Sequence, residues 1–218
     1  MDYPRLVREL FPRLTGGIRW GLERTRSLLG TVGDPHLRYP TLHVGGTNGK
    51  GSVCSALAAI LQAHGLRVGL YTSPHLVEVR ERFRVDGVPV SRDVVLDIGG
   101  AALARFGQPQ SEPCLTFFEL TTLIAAQVFE RQQVDVVVWE VGLGGRLDAV
   151  NAIWPALTVI TNIGLDHQQY LGDTIEAIAA EKAALARDGV PLVVAPQTHT
   201  EVYGALPARA VRVAAAGG

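Results

Sequence analysis

Short apolar runs alternate with amphipathic stretches along most of this chain. The runs that predict strands, because nearly every residue in them is apolar, are 41–45, 67–72, 134–142, 156–164 and 190–196. The stretches that predict helices are 52–64, 92–105, 117–132 and 174–187. Uniformly apolar strands are typical of a parallel sheet that is covered on both faces. The alternation therefore predicts an α/β fold with a doubly wound, mostly parallel sheet.

A few segments depart from this alternation. An Asp-Gly pair inside 84–91 is a strong tight-turn signal and predicts a small hairpin. Residues 1–30 predict one or two amphipathic helices, and 211–214 predict the start of one more strand. The segment 106–115 contains two prolines and a glycine and predicts a loop. None of these segments suggests a second fold class.

The composition narrows the class of protein. The chain has 218 residues, 47% of them apolar and 19% charged, which suits one folded domain and excludes general disorder. Its net charge of −1 leaves no basic surplus for nucleic acid or an anionic membrane. The two cysteines lack a C-x-x-C spacing, and no apolar stretch reaches the ~20 residues of a membrane span. We expect a cytoplasmic protein with no nucleic-acid or membrane partner.

Lysine is rare in this chain. Of 20 basic residues, only Lys50 and Lys182 are lysines, and the other cations are all arginines. An arginine-rich chain that keeps lysine at two positions marks them as candidates for chemistry that a guanidinium cannot perform. The alternative is that each occupies a solvated surface.

The first candidate site is the glycine-rich segment 45–52 between the first strand and its helix. Glycine lets backbone N–H groups turn toward a phosphate, and a helix N-terminus adds partial positive charge. Lys50 supplies a cation and Ser52 a hydroxyl for phosphate or Mg²⁺. The usual phosphate-loop pattern is not met literally, because Val44 replaces its first glycine and Gly51 separates the lysine from the serine. A glycine-rich turn without a ligand is the alternative.

Three further strand ends carry polar groups: Ser73, Glu140 and His167. Ligands of doubly wound sheets bind at the carboxyl ends of strands, where these residues would meet the phosphate loop. The alternatives are a helix cap or turn residue for Ser73, a structural ion pair with an arginine for Glu140, and a core or surface position for His167. Leu147 stands where a dinucleotide fingerprint needs its last glycine, so that motif is excluded. Together the residues predict a Mg²⁺-nucleotide site and leave the acceptor open.

Six ordered segments carry a resemblance to a known family. They are HVGGTNGKGS (43–52), YTSPHLVEVRERFRVDG (71–87), TFFE (116–119), WEVGLGGRLDAVN (139–151), TNIGLDH (161–167) and LGDTIEAIAAEKA (171–183). They resemble the dihydrofolate synthase/folylpolyglutamate synthase family, a branch of the Mur-ligase-like amide ligases. The resemblance implies a Mur-ligase-like ATP domain and a ligase that uses ATP and Mg²⁺ to join L-glutamate to dihydropteroate or reduced folates through an acyl phosphate.

The same resemblance assigns roles to individual residues. The implied ATP-binding residues are Thr47, Asn48, Gly49, Lys50, Gly51 and Ser52. The implied Mg²⁺ ligands are Ser73, Glu140 and His167. The implied substrate contacts are Thr116, Phe117, Phe118, Glu119, Leu147, Asp148 and Ala149. Lys182 would be carbamylated by CO₂ and would act with Lys50, Glu140 and His167 as a catalytic residue.

The resemblance also sets an expectation about domains. Members of the family continue into a C-terminal domain, so we expect residues 1–218 to be a monomeric ATP-binding domain that is inactive alone. One alternative is a Mur ligase acting on a UDP-linked peptide, but the 44 residues before Gly45 are too few for a UDP-binding domain. The other is a catalytically inactive nucleotide-binding module, which would not need both lysines.

Overall fold

The computed structural model describes residues 1–10, 21–106, 115–208 and 210–212. In these residues eight strands form one sheet in the order β4-β3-β2-β5-β1-β6-β7-β8. The strands are β1 Thr41–Gly45, β2 Val68–Tyr71, β3 Phe83–Val85, β4 Val88–Pro89, β5 Val136–Glu140, β6 Leu157–Ile160, β7 Leu192–Val194 and β8 Val211–Arg212. The strand expected near 211 is confirmed, whereas the loop expected at 106–115 lies almost wholly outside the described residues.

The helices follow the amphipathic stretches. They are α1 Tyr3–Leu10, α2 Glu23–Thr31, α3 Lys50–Ala63, α4 Arg92–Phe106, α5 Phe117–Arg131, α6 Gln168–Leu171, α7 Ile175–Ala183 and α8 Val202–Ala205. Helix α7 ends four residues before the predicted 187, because the backbone bonds beyond Ala183 become three-residue turns. The short helices α6 and α8 were not predicted, since one helical turn is too short to show a periodic pattern.

The sheet is parallel except at one edge. Strands β2, β5, β1, β6, β7 and β8 run in the same direction, and the β3–β4 hairpin adds two antiparallel pairings, of β3 with β2 and of β4 with β3. Asp86 and Gly87 both take positive φ in the turn of that hairpin, as a tight two-residue connection requires. The doubly wound, mostly parallel α/β fold is confirmed. The carboxyl ends of β2, β5, β1 and β6 therefore lie side by side at one edge of the sheet.

Strand β5 shows why the sheet needs cover on both faces. Val136 and Val138 pack into a small core with Cys54 and Ala58 of α3. The alternate residue Trp139 packs on the opposite face, with Phe129 of α5 in a larger core. Burying each large apolar side chain contributes about 1.5–3 kcal/mol, so a run of apolar residues is stable only between two helical layers. Among the described helices, none has the length and apolar character needed to cross a membrane.

Candidate active site

The glycine-rich segment forms a loop that is tied to the neighbouring strand end. Gly46 takes φ +137° and Gly49 takes φ +84°, conformations that disfavour any residue with a Cβ. The Thr47 amide donates to Asn162 O at 2.7 Å, and Thr47 Oγ1 donates to Gly164 O at 3.1 Å. The loop therefore leads directly into the N-terminus of α3, and hydrogen bonds to the segment after β6 hold it in place.

Both lysines of the chain point into this loop. Lys50 Nζ donates to Gly46 O at 3.2 Å and to Thr47 O at 2.9 Å. Lys182 Nζ, from α7, donates to the same Gly46 O at 2.9 Å. Lys182 is only 3% exposed, and burial together with the charge of Lys50 lowers its pKa to about 8. The surface position weighed for each lysine does not hold for Lys182, and the two ammonium groups share one carbonyl oxygen.

Glu140 ends β5 as a buried carboxylate. It is 5% exposed, and its Oε2 accepts the Ser73 N–H at 2.9 Å. Burial raises its pKa, while that hydrogen bond and the charges of Lys50 and Arg82 lower it. In the described residues no arginine forms an ion pair with it, so the structural salt bridge weighed as an alternative is not observed. A buried, under-compensated carboxylate beside a phosphate loop fits a Mg²⁺ ligand.

The other two expected metal ligands have different contacts, because Ser73 bonds to Glu140 whereas His167 lies beside Asp166. Ser73 is joined to it through the backbone, and its Oγ lies 3.8 Å from the position of a Cβ built on Gly142. His167 precedes α6 with φ 48°, and its half-exposed ring lies 3.6 Å from Asp166 Oδ2. Across the described ranges, no group of three or more His, Cys, Asp or Glu residues could hold a metal ion. The structure thus joins Ser73 and Glu140 and leaves His167 on the adjacent loop.

The expected substrate segment 116–119 begins α5. Thr116 and Glu119 form a reciprocal capping box, and the Glu119 carboxylate also pairs with Arg24 of α2. Phe117 is buried, and the Arg82 guanidinium lies over its ring at 4.9 Å. Phe118 differs, since it is 40% exposed and its ring lies 3.7 Å from a Cβ built on Gly142. Of residues 116–119, Phe118 is the one whose side chain is exposed to solvent, and it lies close to Ser73.

The second expected substrate segment, 147–149, is organised by Asp148. Its carboxylate accepts the N–H groups of Gly142, Leu143 and Val150 at 2.9–3.1 Å. It thereby caps the 3-10 helix Ala149–Ala152 and closes the loop that follows Glu140. Leu147 is partly exposed and Ala149 is buried. Glu119 and Asp148 both use their carboxylates within the protein, and their contact with a substrate stays a prediction.

Sequence reasoning missed two residues next to the site, Glu81 and Arg82. The Glu81 carboxylate accepts backbone N–H groups of the segment after Ser73, and its pKa falls to about 2 because of those hydrogen bonds. Arg82 is buried and donates Nε to His75 Nδ1 at 2.8 Å. A run of alternating charges such as RERFR indicates a solvated edge, so no local signal distinguished these two side chains.

Comparison with known proteins identifies the relatives of this chain. A family model described as the Mur ligase middle domain matches residues 44–213. The folylpolyglutamate synthase of Lacticaseibacillus casei is 42% identical over 200 residues, 88% of this chain. The dihydrofolate synthase/folylpolyglutamate synthase of Haemophilus influenzae is 44% identical over 182 residues, 82% of this chain. A structure of Escherichia coli FolC in complex with DHPP and ADP superposes with a TM-score of 0.85 at 36% identity over 97% of this chain.

These relatives are longer than the chain. It spans 46% of the L. casei protein, 40% of the H. influenzae protein and 51% of the E. coli chain. The chain therefore spans about half the length of the relatives it matches.

Proposed function

The chain belongs to the family of Mur ligase middle domains, in its dihydrofolate synthase/folylpolyglutamate synthase branch, and on that premise we propose that it is the ATP-binding part of a glutamate ligase. The proposed reaction joins the amine of L-glutamate to the carboxylate of dihydropteroate, of reduced folates, or of both. The observation that carries the proposal is that the phosphate loop, Lys50, Lys182 and the Ser73–Glu140 pair lie together at one edge of the sheet, with Glu140 Oε1 3.6 Å from the Cβ position of Gly51.

The residues at this edge of the sheet have different roles in phosphoryl transfer. We infer that the backbone of the loop and Lys50 orient the triphosphate, as in other phosphate loops. The ATP-binding set is Thr47, Asn48, Gly49, Lys50, Gly51 and Ser52. Ser73 and Glu140 would hold Mg²⁺, with His167 joining them from the adjacent loop. Charge neutralisation at the phosphates is what Mg²⁺ supplies when bound.

The amide bond forms in two steps, of which the first activates the acceptor carboxylate. The substrate carboxylate attacks the γ-phosphorus of ATP, ADP leaves, and the product is an acyl phosphate. The neutral glutamate amine then attacks the acyl carbon to give a tetrahedral intermediate. The bond from the acyl carbon to the phosphate oxygen breaks, inorganic phosphate leaves with that electron pair, and the nitrogen loses a proton to give the amide. Both steps depend mainly on positioning and on the neutralisation of charge, which suits an edge rich in cations and poor in nucleophiles. The half-exposed ring of Phe118, beside Ser73, is placed to contact the aromatic part of the acceptor.

Carbamylation of Lys182 is part of the same proposal. The neutral amine attacks CO₂, loses a proton and becomes a carbamate anion that helps hold a second Mg²⁺. The pKa of about 8 supports this step, because it leaves part of the Lys182 amine uncharged at neutral pH. A guanidinium has no accessible neutral form, which accounts for a lysine in an arginine-rich chain.

The test is glutamate-dependent release of ADP by the protein at its full natural length. We expect release with dihydropteroate or a reduced folate as acceptor, and none from Glu140→Gln, which removes the charge and keeps an oxygen for Ser73 N–H. Release with a UDP-linked peptide in place of both acceptors would show the other class of Mur ligase. Tight binding of Mg²⁺-ATP with no ADP release from any acceptor would show an inactive nucleotide-binding module.

The remaining expectations belong to this proposal as well. We propose a cytoplasmic monomer that acts on small molecules without nucleic acid, in which residues 1–218 serve as the ATP-binding unit. Sedimentation of the full natural length would test the monomer, and a mass of two or more chains would contradict it.

A further inference from the structure

The segment 73–78 lies between β2 and a 3-10 helix at the rim of the site. It begins with Ser73, whose backbone N–H is the hydrogen-bond donor to Glu140. Its apolar side chains do not pack, since Leu76 is 91% exposed and Val77 is 85% exposed. Exposed loops without apolar contacts are ordinarily the most easily opened parts of a fold. Something other than hydrophobic burial must therefore keep Ser73 in place.

The Glu81 carboxylate supplies that restraint. Leu76 N donates to its Oε2 at 2.8 Å, and Val77 N and Glu78 N donate to its Oε1 at 2.9 and 2.7 Å. Three consecutive backbone donors thus converge on one side chain. Hydrogen bonds to a charged acceptor are about twice as strong as neutral ones. The backbone of residues 76–78 is therefore bound by one carboxylate, in addition to the ion pairs of the Glu78 side chain with Arg80 and Arg92.

Arg82 holds the same loop from the inner side. Its Nε donates to His75 Nδ1 at 2.8 Å, and its guanidinium stacks over Phe117 at the start of α5. The side chain is buried, so its position is set by packing as well as by that hydrogen bond. Glu81 and Arg82, adjacent in the chain, thus bind different parts of the loop that carries Ser73: the backbone of residues 76–78 and the His75 ring.

We propose that Glu81 is a positioning residue of the nucleotide site, which keeps Ser73 against Glu140 by binding the backbone of residues 76–78. The identity of that site rests on the proposed function, whereas the restraint of the loop does not. Glu81 itself touches neither nucleotide nor metal in this role. It acts through Ser73, whose backbone and hydroxyl lie at the place where Mg²⁺ would bind.

The test compares Glu81→Ala and Glu81→Gln with the control Glu130→Gln. Glu130, like Glu81, is a partly exposed glutamate. It differs in its partner, because it pairs with the Arg38 side chain and, among the described residues, accepts no backbone N–H. Hydrogen exchange of the amides of residues 76–78 should become at least tenfold faster in Glu81→Ala. The Mg²⁺ concentration for half-maximal ATP turnover should rise at least fivefold, with a smaller change in kcat at saturating Mg²⁺. Glu81→Gln should fall between, because it retains one acceptor oxygen.

The outcomes separate the restraint from the ligase assignment. Unchanged exchange at residues 76–78 would overturn the proposal, and so would faster exchange with an unchanged Mg²⁺ requirement. A lower Tm alone, with the Mg²⁺ requirement intact, would show a merely structural role and also overturn it. If the full-length protein turns over no ATP, binding of Mn²⁺ in the presence of ATP replaces turnover as the readout. At least fivefold weaker Mn²⁺ binding in Glu81→Ala would then support the positioning role while the ligase function fails.

Discussion

At the scale of single residues, position 182 shows that a lysine and an arginine are not equivalent. Its ammonium is buried against Gly46 O and repelled by Lys50, so its pKa falls to about 8. An arginine in its place would keep the positive charge and the hydrogen-bonding ability at neutral pH. A positive charge alone therefore does not explain why position 182 holds a lysine.

The substitution Lys182→Arg tests this difference. We expect loss of glutamate-dependent ADP release by at least 100-fold, because guanidinium cannot form the carbamate. Steady-state kinetics and a thermal melt of the full-length protein would be compared with those of the unmodified enzyme. A folded Lys182→Arg variant with full activity would contradict the carbamate.

His43 is a buried ionisable group that the site does not use. It lies in β1 between Trp139 and Thr158, and neither ring nitrogen has a hydrogen-bond partner among the described residues. Burial, with a smaller contribution from the charge of Arg187, lowers its pKa to about 3. The folded state thus excludes a proton that the unfolded chain binds below its ordinary pKa of 6.5.

Stability should therefore fall as the pH drops from 6.5 toward 3. Between pH 7 and pH 5 this single group removes about 2 kcal/mol of the free energy of unfolding. Urea unfolding of the wild type and of His43→Leu at both pH values isolates the effect, because the variant lacks the group. An equal loss of stability in both proteins would show that His43 titrates normally.

At the scale of elements, α7 reaches the site only because a glycine lets it approach. A Cβ on Gly145 would lie 2.7 Å from Glu181 O and 3.1 Å from Lys182 Cα. The first distance is shorter than a Cβ tolerates and the second is unusually tight, and both atoms belong to the helix backbone, which cannot move aside as a side chain can. The loop after Glu140 and the helix that carries Lys182 are thus packed backbone to backbone.

Gly145→Ala should push α7 outward and displace Lys182. We expect a loss of about 1–3 kcal/mol of stability, as for other overpacked positions, and a lower kcat. Gly100→Ala is the control, because Gly100 lies inside α4 with nothing within 4 Å of its Cβ position. That change should raise stability by up to about 1 kcal/mol through helix propensity. Urea unfolding measures both, and equal effects would contradict the close packing.

At the scale of the whole molecule, strand order decides which residues meet. The order β2-β5-β1-β6 places the ends of four strands from distant parts of the chain beside one another. A ligand that contacts all four ends adds its binding free energy to the folded state alone. The nucleotide should therefore stabilise the sheet as a unit.

Mg²⁺-ATP should raise the Tm of the full-length protein. At a concentration 100 times its Kd a ligand adds about 2.7 kcal/mol, which corresponds to several degrees for a domain of this size. ATP with excess chelator should produce a smaller shift, because the charge of Glu140 then opposes the phosphates. A Tm that is the same with and without divalent metal would contradict the role of Glu140 and Ser73 as Mg²⁺ ligands.

Local sequence was sufficient for the parallel sheet and for the positions of its chemistry. The apolar run before Glu140 can be buried only between two layers, so its strand and the position of Glu140 at the carboxyl end of that strand follow from the pattern itself. The same holds for the hairpin at Asp86-Gly87, where the turn depends on backbone conformations that few residues adopt. Helix ends were less well determined, as α7 shows, because they depend on tertiary contacts.

By itself the sequence determined that Lys50, Ser73, Glu140 and His167 follow the ends of strands, and it singled out Lys182 as the other lysine of the chain. Only the tertiary structure decided their partners. Lys182 meets Gly46 O across 136 residues of chain, Glu119 is taken up by Arg24, and Glu81 restrains the loop of Ser73. The reason is physical. The burial of an apolar side chain can be predicted from the pattern of its neighbours along the chain. The hydrogen-bond partner of a polar group is whichever donor or acceptor the fold brings within about 3 Å.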